Sequence, residues 1–294
     1  MKKFFLLLLV TVFTTCSLFS QISYSGFIHK YPIQVVMYPY SDGVVNAFYA
    51  YDKYDEPIIA DGRFDTESEE LILKEKDKEG RVRATLTFED YSEGSAVLSG
   101  TWKDTQTGNE LNIQLTKSFD IGYGEELEWE SKELLQSVSL YDKYFKIIIS
   151  KQKDDFYAHV SGLKIFEKRT DKLLQYIELE CQLMGINCLE VDDYNFDGVA
   201  DFSVFEASYA GPNTSRLYFL FDPKTGEYFL SDIGGVSLDF DHEKKRIYEH
   251  NQCCAGRNHM NAEYKLVNNQ MVLVKKTCVE YNEDVEDFIE VNCD

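Results

Sequence analysis

The sequence predicts an all-β protein in two parts, an N-terminal small antiparallel barrel or sandwich followed by a second β domain. Three observations predict it. From Ile22 to Lys117 apolar and polar residues alternate with a period of two, in short runs rich in aromatic and β-branched side chains. Turn signals divide those runs about every eight to twelve residues. Long helical periodicity is absent from the whole chain.

Taken in order, "YPIQVVMYPY" runs into the turn "SDG", and "VVNAFYAYDKY" into "DEP". "ELILKEKD" passes through "KEG" into "RVRATLTFED". "AVLSGTWKD" passes through "TQTG" into "ELNIQLTKS". That makes roughly seven or eight strands, enough to close a small barrel or stack as a sandwich and so remove exposed edges. The first domain is assigned to residues 21–118. Residues 119–136, with "DIGYGEELEWESKELLQ" from Asp120 to Gln136, are acidic and poor in β-branched residues, and read as an exposed linker with a short helix near Glu130 to Leu135. The second domain, 137–294, resumes with "YFKIIISKQ", "FYAHVSGLKIFEK" and "KLLQYIELE". Beyond an acidic loop come "DFSVFEASY", "RLYFLFD", "EYFLSDI", "AEYKLVN" and "QMVLVKKTCVEY". "DPKTGEY" and "VNNQM" read as hairpin turns.

The chain opens with "MKKFFLLLLVTVFTTCSLFSQ". Two lysines, an apolar run from Phe4 to Phe13 and small or polar residues give the layout of a secretory signal peptide, with cleavage expected after Ser20. The run is shorter than the roughly 20 apolar residues of a comfortable membrane span, and no later stretch supplies one. Cys16 sits in "FTTC", which departs from a lipobox at two positions and argues against a lipid anchor. The mature protein is therefore expected to be exported, to the periplasm, the cell surface or beyond.

Charge and cysteines narrow the partners. The chain carries 30 basic and 51 acidic side chains, a net −21. Such a surface repels nucleic acid and anionic lipid, and favours cations or a basic protein. Beyond Cys16 there are Cys181, Cys188, Cys253, Cys254, Cys278 and Cys293. An even count in an exported chain suits disulfides, whereas the lack of Cys-x-x-Cys argues against structural zinc. The expected pairings are Cys181 with Cys188, and Cys278 with Cys253 or Cys254.

The most informative stretch is "VDDYNFDGVADF", Val191 to Phe202. With Asp193 at position one, Asn195 falls at three, Asp197 at five, Gly198 at six, Val199 at seven and Asp201 at nine. Oxygen-bearing side chains at alternating positions converge on one hard cation, Gly198 permits the sharp turn, and the Val199 carbonyl adds a ligand. The cofactor expected is Ca²⁺. Without a cation, the close carboxylates repel one another, and the alternative reading is a solvated Asx-rich turn. The loop is not an EF-hand, because Val204 stands where the bidentate glutamate belongs.

Asp-x-Asn-x-Asp-Gly-x-x-Asp leading into a strand resembles the calcium loops of FG-GAP and integrin-type β-propeller repeats. The longer stretch "LEVDDYNFDGVADFSVFEASYAGPNTSRLYFLFDPKTGEYF" is similar to bacterial periplasmic proteins with a propeller-like calcium-binding domain, among them lysozyme-inhibitor and immunity proteins. That resemblance implies a propeller-like second domain and calcium ligands at Asp193, Asn195, Asp197, Val199 and Asp201. It spans Leu189 to Phe229 and leaves Ile22 to Lys117 outside. Two loops are candidate partner-binding elements: the one carrying Gly211 and Asn213, and "NQCCAGRNH" with Arg257, which alternatively forms an internal ion pair.

Enzyme motifs are weak. "SKQK" and "KTG" match two boxes of penicillin-binding enzymes, but the serine ends a β-run and the Ser-Asp-Asn box is missing. Neither His-Glu-x-x-His nor Gly-x-Ser-x-Gly occurs, and the five histidines are scattered. No catalytic residue is assigned. The expected function is binding of a protein, such as a basic lysozyme-like cell-wall hydrolase that it inhibits. The rivals are a glycan-acting extracellular enzyme and a surface adhesion or scaffold module.

Overall fold

The computed structural model describes residues 21–92, 94–122 and 126–293. The expected signal peptide, residues 1–20 with Cys16, lies outside them. Eight strands open the fold: β1 (Ile22–Ile28), β2 (Tyr31–Pro39), β3 (Val44–Tyr51), β4 (Ile58–Asp65), β5 (Glu70–Lys76), β6 (Val82–Phe88), β7 (Val97–Asp104) and β8 (Glu110–Asp120). Each pairs antiparallel with the next, and β1 pairs with β8 to close a barrel. The period-two pattern does this: Tyr24, Ile33, Val35, Tyr49, Leu71, Leu73, Leu86 and Ile113 point inward and are buried. An eight-stranded barrel has an interior just wide enough for its side chains to fill. Gly26 and Gly62 stand where a Cβ would strike the backbone carbonyls of Gln114 and Ile72 on the adjacent strands.

Two barrel strands break the alternation, and they show where the rest of the chain sits. In β2 the consecutive residues Val35, Val36 and Met37 are all buried, and in β3 so are Ala47 to Ala50. A strand buried on both faces is covered on both. Val36, Phe48 and Ala50 belong to the same core as Leu134, Leu135, Phe145, Ile147 and Leu163. Polar contacts stitch the same seam. The Arg169 amide donates to Asp55 Oδ2 at 2.6 Å, and Lys168 pairs with Glu56.

This revises the linker. β8 continues to Asp120 and β9 spans Trp129–Ser139, so most of the stretch expected as an exposed linker is strand, and the helix expected near Glu130 to Leu135 is absent. Residues 123–125 lie outside the described residues. Leu134, Leu135 and Gln136 are buried. Their local composition suits a helix, but pairing with the next strand and packing on the barrel wall override propensity.

Three antiparallel sheets follow, each a simple meander. The first holds β9, β10 (Lys143–Lys151), β11 (His159–Glu167) and β12 (Leu173–Gln182). The second holds β13 (Leu189–Asp192), β14 (Asp201–Ser208), β15 (Thr214–Asp222) and β16 (Glu227–Leu230). The third holds β17 (Leu238–Asp241), β18 (Arg246–Cys253), β19 (Asn258–Val267), β20 (Gln270–Asn282) and β21 (Asp287–Val291). The core that reaches the barrel runs on between the first and second sheets through Phe145, Phe202 and Phe219. A separate core of Tyr194, Tyr218, Leu220, Ile233 and Ile247 joins the second sheet to the third. Both expected hairpins form. Gly226 turns β15 into β16 at φ +76°, and Asn268 and Asn269, at φ +53° and +60°, turn β19 into β20. Two successive positive φ values are the signature of a type I′ turn, which asparagine tolerates. Among the described residues, the only helical element is the three-residue turn Cys254–Gly256, and no helix is long and apolar enough to cross a membrane.

The cysteines pair differently from the expectation. Cys278 in β20 is bonded to Cys293, just beyond β21, not to Cys253 or Cys254. Cys181 and Cys188 are free thiols in the apolar core, where burial pushes both up to about 11.

Candidate functional site

The acidic loop joins β13 to β14, and its side chains organise its own backbone. Asp193 Oδ1 accepts the Asp197 amide at 2.9 Å and its Oδ2 accepts the Gly198 amide at 2.8 Å. Asn195 Oδ1 also accepts the Asp197 amide, at 3.1 Å, while Asn195 Nδ2 donates to Asp197 Oδ2 at 2.9 Å. Asp197 Oδ1 accepts the Val199 amide at 2.8 Å. Gly198, at φ +87°, makes the sharp turn that its position requires. Asp201 stands apart. It is 1% exposed, and its two oxygens accept the amides of Phe221 and Tyr194 at 2.9 and 3.2 Å. Burial, with Asp197 and Asp193 nearby, pushes its carboxyl up to about 7 against the pull of those two amides.

The loop is therefore compact and draws Asp193, Asn195 and Asp197 into one turn, with Asp201 behind them. Among the described residues, no group of three or more His, Cys, Asp or Glu side chains stands in a geometry that would hold a metal. The donor chemistry still fits a hard cation. Every side chain in the set offers oxygen, each carboxylate oxygen retains a lone pair after one amide bond, and a buried carboxylate beside two others is the environment a divalent ion stabilises. If an ion binds, Asp193, Asn195, Asp197 and Asp201 with the Val199 carbonyl would hold it.

The loop also ties two sheets together. Lys245, next to β18, donates to the Phe196 carbonyl at 3.0 Å, and His242 meets Asp192 at 3.0 Å. Phe196, Tyr194, Tyr218 and Phe240 pack ring against ring across the gap.

At the far end of β14 lies an open groove of about 1010 Å³ between the first and second sheets. Phe156 and Tyr157, in the loop before β11, stand edge to face on one wall, with Tyr157 66% exposed. Met184, half-exposed, lines the same groove. Asp155, Glu180 and Glu206 line the same groove. Sequence reasoning passed over this feature. "FYAHVSGLKIFEK" reads as strand from Phe156 onward, whereas β11 begins at His159, and the carboxylates come from three separate segments. The signal available was the pair Phe156–Tyr157 following two aspartates.

The candidate partner-binding residues fare differently. Asn213 is buried. It clamps β18 by donating from Nδ2 to the Gln252 carbonyl at 2.7 Å and accepting the Gln252 amide at 3.1 Å on Oδ1. Its amide is spent inside the fold, so it is not a contact offered to a partner. Gly211 is exposed at φ +74°. Arg257 is half-exposed, paired with Glu283 at 2.8 Å and placed over the Tyr281 ring, which is the internal pair named as its alternative.

The enzyme-like motifs sit as strands and turns. Ser150 is in β10, where it is hydrogen-bonded at 3.0 Å to its cross-strand neighbour His159, and "KTG" is in the β15–β16 turn. Among the described residues no carboxylate is hydrogen-bonded to the other His159 ring nitrogen. Compared with known proteins, the chain matches no family model and no curated protein.

Proposed function

We propose that this is an exported, calcium-stapled binding protein that recognises a basic protein through the Phe156–Tyr157 groove, and that a lysozyme-like cell-wall hydrolase is the class of partner. The groove carries the reading. Exposed aromatic and methionine side chains ringed by carboxylates suit an apolar anchor flanked by Lys or Arg, with the net charge of −21 steering the encounter. Three successive meander sheets stacked through aromatic cores support a propeller-like second half, since blades are such meanders. The disulfide suits an oxidising compartment. The calcium loop, at the opposite end of β14, acts as a staple for the second and third sheets and stands away from the contact surface.

The test is binding of a basic lysozyme to the immobilised protein, read beside inhibition of peptidoglycan lysis. Tyr157→Ala is expected to weaken binding at least tenfold, as loss of an exposed aromatic anchor does. Equal affinity for wild type and variant would remove the groove from the account. The rival, a glycan-acting enzyme, draws on Glu180 and Glu206 lining the same groove. Glycan turnover lost in Glu180→Gln or Glu206→Gln would favour it.

A further inference from the structure

Cys253 and Cys254 are adjacent in sequence, both exposed, and their sulfurs lie 2.9 Å apart. The other cysteines among the described residues are accounted for. Cys278 is bonded to Cys293, and Cys181 and Cys188 are buried in the core between the first two sheets. Strand register also separates Cys253 from the His259 imidazole. Cys253 pairs with Asn258, whereas His259 pairs with Gln252, so the thiol of Cys253 and the ring of His259 occupy opposite faces of the third sheet.

The loop that carries the pair is held at its base and wound tightly at its tip. Asn213 fixes Gln252 from both sides, and the Tyr281 amide donates to the Arg257 carbonyl at 2.7 Å. Between these anchors Cys254, Ala255 and Gly256 all take positive φ, at +58°, +57° and +79°. Two of the three carry a Cβ, so the turn is strained, and it holds the two sulfurs on one side of the tip.

We propose that Cys253 and Cys254 form a redox-closable vicinal dithiol, whose oxidised state is a disulfide between the two neighbours. The oxidant is an exogenous disulfide, either a small oxidised thiol or a protein disulfide. The thiolate of one cysteine attacks it, one sulfur leaves as a thiol carrying one proton, and a mixed disulfide remains. The neighbouring thiolate then attacks the protein sulfur of that mixed disulfide. The second sulfur leaves with the other proton, and a ring closes between Cys253 and Cys254. Two electrons and two protons pass to the exogenous disulfide, which becomes two thiols. Closing the ring replaces two exposed thiols by one apolar edge and pins the turn ahead of Arg257.

The experiment uses the full chain treated with oxidised glutathione, then denatured, blocked with a maleimide, digested without reduction and weighed by mass spectrometry. The peptide containing Cys253 and Cys254 is expected to be two hydrogens lighter and unlabelled, and to take two labels after reduction. In Cys254→Ser, Cys253 is expected to carry a stable glutathione adduct instead. Retention of both maleimide labels after oxidation would overturn the proposal, and so would a peptide linking either cysteine to Cys278 or Cys293. The Cys253→Ser, Cys254→Ser double variant should melt with wild type not exposed to oxidised glutathione, the Cys278–Cys293 bond being intact in both, which separates loss of the ring from loss of the fold.

Discussion

Asp55 shows how the fold uses single acidic residues. It is buried at the seam between barrel and first sheet, at φ +53°, and accepts the Arg169 amide. Burial holds its carboxyl above the usual range, and Asp171 and Asp52 add to that against the Arg169 amide and Lys146. A carboxyl raised in the folded state keeps its proton longer when folded than when unfolded. Its contribution to stability is therefore greatest below its ordinary value of 3.8 and declines as pH rises through the folded value. Asp55→Asn keeps an acceptor for Arg169 and suits the left-handed backbone. The variant should match or exceed wild type in urea unfolding at pH 7, and its margin should shrink as pH falls towards 4. A margin that widens on acidification would contradict this. Asn213 makes the complementary point. Asn213→Ala strands the Gln252 amide and carbonyl, and should cost about 1–3 kcal/mol in the same assay. From the sequence, a glycine–asparagine loop reads as a surface for others. Nothing in the chain order reveals that its amide turns inward to a strand about forty residues away.

Among the elements, β9 was the least legible. Its acidic, helix-favouring residues conceal the pair Leu134 and Leu135, which complete a core whose other half is the barrel wall. Gln136 adds a link by accepting the Cys188 amide at 3.2 Å, which joins β9 to the start of the second sheet. Leu134→Ala should cost about 2–5 kcal/mol, the range for a fully buried leucine. A loss below about 1 kcal/mol would mean that β9 is the exposed tether its composition suggests. The barrel strands and hairpins were legible because period two and turn chemistry are local. The unbroken apolar runs in β2 and β3 also carried information, since burial on both faces requires something to lie against the outside. The groove was not legible, because its acids are brought together only by the stacking of two sheets.

At the scale of the molecule, two cores besides the barrel's own interior join the parts in series, from the barrel wall to the second sheet and from the second sheet to the third. Halves that share a core unfold together. A protease is therefore not expected to release two folded pieces, and melting should give one transition by far-UV and near-UV circular dichroism alike. The Asp193–Asp201 loop sits on the second of these seams, so a cation held there stabilises the whole molecule. At a hundredfold excess over its dissociation constant, a ligand of the folded state alone adds about 2.7 kcal/mol. For a chain of this size that is a rise of roughly 5 °C. The direct measurement is calorimetric melting in saturating calcium and in chelator, for wild type and Asp197→Ala. The account predicts a single transition that moves upward as a whole with calcium in the wild type and does not move in the variant. A wild-type curve unchanged by calcium would contradict the staple, and two transitions of which only one responds would contradict the shared core.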